Sequence, residues 1–224
     1  MMVQGKVNIF RFDREHDIKP RYEKFDFPFE SGMTILDVLI YVRDHCDNTL
    51  SFSYCCRNRH CGLCGVVANG VPCLACHEAA EQELTIEPLD KQTVVRDLII
   101  DQSVYNSRVE KLRLFLCREN IDGVVLPEYI NVEDFEQIKV ASRCVECKCC
   151  DAACPLNRAD SHFLGPSGFV LLARHFFDPR DELDRNYLLK NGQIEQCVHC
   201  GRCSNVCPHN VDPEGVISRL QECR

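Results

Sequence analysis

Eighteen of the 224 residues are cysteine, and most of them fall into three clumps separated by long cysteine-poor stretches. Cysteines two or three residues apart do not readily reach disulfide geometry, but they can wrap one inorganic centre. A secreted disulfide scaffold is normally short and preceded by a signal peptide. This chain is longer, and residues 1–10 lack the basic-then-apolar pattern of such a peptide. The expectation is an intracellular protein whose thiols are reduced and hold metal.

The first clump reads Cys56-x4-Cys61-x2-Cys64, with Cys76 further on. That is the plant-type [2Fe–2S] spacing, in which a four-residue loop arches over the centre and aims its amides at the sulfides. Gly62 and Gly65 are expected to keep that backbone close, having no Cβ in the way. Two alternatives stay open: Cys55 adjoins Cys56, and Cys73 competes with Cys76 as fourth ligand. Cys56 is preferred because it gives the x4 gap, and Cys76 because it lies well past the Asn69-Gly70 turn. Zinc knuckles favour paired C-x2-C units over such a triplet.

The second clump is Cys144-x2-Cys147-x2-Cys150-x3-Cys154-Pro155, and the third is Cys197-x2-Cys200-x2-Cys203-x3-Cys207-Pro208. Both match the bacterial ferredoxin run, whose fourth cysteine serves the other cluster. One [4Fe–4S] centre is therefore assigned to Cys144, Cys147, Cys150 and Cys207. A second cubane is assigned to Cys154, Cys197, Cys200 and Cys203. The remaining Cys46, Cys55, Cys73, Cys117, Cys149 and Cys223 read as small hydrophobes, Cys46 and Cys117 in particular as ends of apolar helices. A Rieske site would need a second Cys–His pair, which does not follow Cys197-x-His199. No residue reads as a catalytic acid or base.

Alternating polar and apolar residues at 6–12 and 22–29 predict a β-hairpin. Thr34 predicts the cap of a helix bearing Ile35, Leu39 and Val42 on one face. Strands follow at 65–68 and 83–87. Residues 96–117 carry helical spacing, Asp134 to Val140 predict another helix, and Leu171, Leu172, His175 and Phe176 predict one between the cubane motifs. The fold expected is α+β: a β-grasp [2Fe–2S] ferredoxin domain at 1–100, then an all-helical two-cubane domain at 101–224. Each is small enough that a core alone is marginal, so cluster ligation should supply part of the stability. The net charge of −8 is spread evenly, with no basic tail or patch to suggest nucleic-acid binding. No apolar run approaches the ~18–20 residues a bilayer span needs.

The order of one plant-type site and two cubane motifs resembles the iron–sulfur subunit of the succinate dehydrogenase/fumarate reductase family, over nearly the whole chain. Cys61-Gly62-Leu63-Cys64, Leu74-Ala75-Cys76, Val95-Arg96-Asp97-Leu98, Leu164-Gly165-Pro166 and Asp178-Pro179-Arg180-Asp181 are similar to the family's stretches. The resemblance implies electron transfer from a flavoprotein partner, which carries the FAD, to quinone at a membrane-anchor subunit. It also implies a cytoplasmic protein held peripherally at the membrane by its partners.

Two departures shift that expectation. Common members hold a [3Fe–4S] centre with a non-cysteine residue at the position of Cys200; here the set is complete, which predicts [4Fe–4S]. The Trp that common members place after Cys154-Pro155 is replaced by Leu156, Asn157 and Arg158, and Val198 follows Cys197. The resemblance then leans to the branch with a complete second cubane motif, which partners a cysteine-rich, heterodisulfide-reductase-like subunit. The same wire serving another flavoprotein dehydrogenase is the alternative function, and a zinc-holding module is the alternative class. Arg57, Arg59 and His60 place positive charge beside the first centre, expected to raise its potential. His199 and His209 flank the last one.

Overall fold

The computed structural model describes residues 3–118, 128–157 and 162–223. Arg158 lies outside them. The chain divides into two compact units: Met1–Gln102 with Val145–Ala153, and Ser103–Cys144 with Cys154–Arg224. Val145–Ala153, a nine-residue piece of the second cysteine clump, packs with the first unit.

In the first unit β1 (Val3–Arg11) and β2 (Arg21–Phe29) form the hairpin, in unbroken register from Val3 opposite Phe29 to Arg11 opposite Arg21. The helix α1 (Ile35–His45) begins at a Thr34 capping box closed by Asp37. Its buried residues Ile35, Val38, Leu39 and Val42 follow the i, i+3, i+4, i+7 pattern of one helix face. Next come β3 (Gly65–Ala68), β4 (Val71–Leu74) and β5 (Glu83–Glu87). The five-stranded mixed sheet runs β2-β1-β5-β3-β4, with β5 parallel to β1 and the other pairs antiparallel. Val7 and Ile9 alternate inward with Leu84 and Ile86 beside them, so the pleat itself builds the core.

A pair of short strands, β6 (Val94–Arg96) and β7 (Ile99–Ile100), stands where the helical reading of 96–117 began. That expectation is corrected: the helix is only α2 (Ser103–Glu110). Asp97 is the reason. Its backbone is left-handed (φ 48°), which ends any helix, and its buried carboxylate accepts the Phe12 and Ser51 amides and the Arg11 guanidinium at 3.0 Å. Arg11, only 4% exposed, also binds Glu23 at 2.7 Å, Thr49 at 2.9 Å and Asp47. This ties β1 and β2 to the segment that feeds the first cysteine loop. Arg11 holds the Asp47 carboxyl down to about 2.

In the second unit α3 (Val132–Ser142) starts at Asn131, whose side chain accepts the Asp134 amide. The nine-residue insertion into the first unit contains α4 (Cys149–Ala153). Then come α5 (Pro166–Phe176), α6 (Asn186–Asn191), the 3-10 turn Ile194–Gln196, α7 (Arg202–Asn205) and α8 (Pro213–Glu222). Residues Pro166 through Ala173 are all buried, which makes α5 the central helix, packed on α3 and α8 around Phe169, Leu172, Ile217 and Leu220. Arg185 is buried against Asp181 at 2.6 Å and donates to the carbonyls of Leu112, Arg113 and Phe115. Among the described residues no helix is long and apolar enough to cross a membrane.

Candidate metal centres

The x4 loop of the first motif turns its amides onto sulfur. Cys56 Sγ accepts the amides of His60 and Cys61, each at 3.2 Å, and Cys76 Sγ accepts that of Arg59 at 3.2 Å. The Asn58 amide and these donors hold the Cys56 thiol down to about 7, because they favour the thiolate. Cys61 lies against Cys56 and Cys64 against Cys76; burial, then its neighbour's sulfur, pushes Cys64 up to about 12. The two open alternatives sit differently. Cys55 is exposed, and Cys73 is buried in β4, where burial pushes it up to about 12.

Two of the side chains expected to tune this centre have partners beside it. Arg57 stacks over Tyr54 at 5.3 Å, and Arg59 donates to His77 at 2.9 Å, while its amide makes the contact to Cys76. Arg43 also lies over Phe52 and Tyr54, giving this rim a cationic, aromatic surface.

In the second motif, Cys147 and Cys150 are buried in the first unit, and Cys144 and Cys207 lie against the core of the second. Arg174 pins the Cys144 carbonyl at 2.6 Å, and Cys207 Sγ accepts the Val211 amide at 3.4 Å. Cys149 is fully buried beside Cys147, and that contact together with burial keeps it a neutral thiol.

In the third motif Cys154, Cys197, Cys200 and Cys203 line a single small cavity, walled by Leu156, Phe163 and Ile217 and by the Glu214 carboxylate. Burial raises Cys197 and pushes Cys203 up to about 12. His199 binds Glu214 at 2.8 Å, and Ser218 Oγ lies 3.2 Å from the same ring nitrogen. His209 does not line this cavity. Of the leftover cysteines, Cys46 is an exposed helix cap and Cys117 is half-buried outside any helix, so neither is the buried helix-end expected of it.

One backbone feature recurs at all three loops and was invisible in the sequence. Positive φ falls at Arg57, Arg59 and Gly62, at Glu146 and Lys148, and at His199 and Gly201. Left-handed residues set among right-handed ones turn successive amides to one side, the anion-binding concavity of many iron–sulfur sites. A left-handed non-glycine residue costs roughly 1–2 kcal/mol. Five of them on cysteine loops fit an anionic thiolate-bound cluster, which such amides stabilise. Among the described residues no group of three or more His, Cys, Asp or Glu is arranged to hold a single ion.

Residues 6–107 match the 2Fe-2S iron-sulfur cluster binding domain family, and residues 140–211 match the 4Fe-4S dicluster domain family. The chain is 33% identical to the fumarate reductase iron-sulfur subunit of Mycobacterium tuberculosis, over 99% of its length and 93% of the relative's. It is 32% identical to a subunit of the CoM/CoB fumarate reductase of Methanothermobacter marburgensis, over 96% of this chain but 43% of that one. A chain of the Mycobacterium smegmatis Sdh1 complex in the apo form shares the fold, with a TM-score of 0.87 at 22% identity, covering 100% of this chain and 96% of that one. By its two matched domain families and its relatives, the chain is an iron–sulfur electron-transfer subunit. It belongs to the family of fumarate reductase and succinate dehydrogenase iron–sulfur subunits.

Proposed function

We propose that this chain is the non-catalytic electron-conducting subunit of a complex whose FAD-bearing partner interconverts succinate and fumarate. Thiolate-held clusters supply one-electron redox change with little rearrangement, and so divide the two electrons of a flavin. The chain's own contribution is to grip, orient and insulate three such centres. Cys56, Cys61, Cys64 and Cys76 take the [2Fe–2S] centre. Cys144, Cys147, Cys150 and Cys207 take a [4Fe–4S] centre. Cys154, Cys197, Cys200 and Cys203 take a second [4Fe–4S] centre, the alternative being [3Fe–4S]. The observation that supports this reading is the left-handed backbone at each of the three cysteine loops, with amides on the Cys56 and Cys76 sulfurs in the first.

The exposed cationic rim around Cys56 and Cys76 suits the flavoprotein. The Val198 edge of the third cavity, 61% exposed, suits the terminal acceptor. That acceptor is either a membrane-anchor subunit or a cysteine-rich subunit of the heterodisulfide-reductase kind. In either case the chain sits in the cytoplasm, peripheral to the membrane. A different flavoprotein dehydrogenase as partner is the second reading, since the substrate binds elsewhere. Anaerobic purification with its partners, iron analysis and redox titration test the proposal. About ten iron atoms per chain and three titrating centres are expected. Cys200→Ser should lower the iron to about nine; an iron-free protein that still docks to a flavoprotein would overturn the reading.

A further inference from the structure

Two glycines of the first motif do something other than clear the way to its own sulfides. Gly62 has φ +71°, and a Cβ there would stand 2.3 Å from the Val145 carbonyl oxygen and 3.1 Å from the Cys147 backbone. A Cβ on Gly65 would stand 3.0 Å from the Cys147 carbonyl oxygen and 2.7 Å from Leu89 Cδ1. Val145–Ala153 belongs to the same unit as this loop, so these contacts lie inside one compact body. Leu63, between the two glycines, is half-exposed. The backbone that carries Cys61 and Cys64 therefore packs on the backbone that carries Cys147 with no side chain between them. Both loops also line one cavity of about 280 Å³.

We propose that Gly62 and Gly65 are positioning residues that set how closely the first ligand loop approaches the second, and thereby the electronic coupling between the centres those loops hold. The proposal rests on the reading of these loops as cluster sites. No bond would be made or broken and no proton would move; one electron would pass between the centre held by Cys64's loop and the centre held by Cys147's loop. A methyl group at either glycine meets backbone, which cannot swing aside as a flexible side chain does, so the loops must separate.

The test uses the full chain loaded anaerobically with iron and sulfide. Its readout is the enhancement of electron-spin relaxation that a reduced neighbouring centre imposes on the [2Fe–2S] signal. Gly65→Ala should keep the [2Fe–2S] signal and the iron content and lose part of the enhancement; Gly62→Ala should lose more. Gly70→Ala is the control: Gly70 shares the left-handed conformation (φ +82°) but has nothing within 4 Å of its would-be Cβ. It should behave as wild type. Gly65→Ala with Leu89→Ala removes the side-chain clash and leaves only the Cys147 carbonyl in the way, so the loss should persist. It also serves if Gly62→Ala fails to fold. Unchanged enhancement in Gly65→Ala at full iron content, or its recovery in the double variant, would overturn the inference. A wild-type chain that binds no iron would instead overturn the reading beneath it.

Discussion

The loop around Cys56 and the loop around Cys200 share an alternating backbone but not a setting. The first is ringed by Arg57, Arg59, His60 and His77 at the surface, and its sulfurs take amides from the arch itself. The third lies against Leu156, Phe163 and Ile217, with a carboxylate, Glu214, in the wall. On the proposed reading, main chain would recognise the cluster in both places, because amides are supplied by every residue type. Side chains are left free to set charge and dielectric, the levers that move a cluster's potential.

The largest effect expected is of stripping iron from the whole. Without ligation the strained left-handed residues of each loop have nothing to offset them, and both units should lose their cooperative thermal transition, followed by circular dichroism. A cluster-free chain melting cooperatively near the holo temperature would break the argument for both loops at once.

Next in size are the buried arginines that brace the two units. Asp97→Ala leaves Arg11 in a site where it is 4% exposed without one of its partners, and Arg185→Ala strands the buried Asp181. Each should cost about 3–5 kcal/mol in denaturant unfolding. Asp97→Ala should also loosen the segment leading to Cys56, seen as faster loss of the [2Fe–2S] absorbance than of the cubanes. Equal loss of all three centres would deny that network its special tie to the first loop.

The smallest effects sharpen the electrostatic contrast. Glu214→Gln removes a negative charge from the wall of the third cavity. It should raise that centre's midpoint by about 40 mV, on the order of 1 kcal/mol for one electron. Arg59→Ala retains the amide that reaches Cys76 and removes an exposed guanidinium. With the His77 hydrogen bond lost as well, it should lower the first midpoint by about 20 mV or less. A larger fall would mean that the cationic rim tunes the centre through charge as well as through backbone.

Much of the first unit is legible in the chain's own pattern. The hairpin, the Thr34-capped helix and the strands at 65–68 and 83–87 follow from periodicity and capping, both of them local. The helical reading of 96–117 fails because Asp97 answers to Arg11, 86 residues away, and not to its neighbours. Gly62 and Gly65 stand out in the sequence, but the contact that explains them lies on a stretch of chain more than 80 residues on.

Cysteine spacing by itself determined which sulfurs lie near one another along the chain, since a ligand loop closes over a few residues and needs little else. Only the tertiary structure decided that Val145–Ala153 packs with the first unit, and that Arg57, Arg59, Glu146, Lys148 and His199 adopt left-handed backbone. Nothing in those side chains favours that conformation. It persists because packing from distant parts of the chain over-determines each loop, and such long-range terms leave no local mark in a sequence.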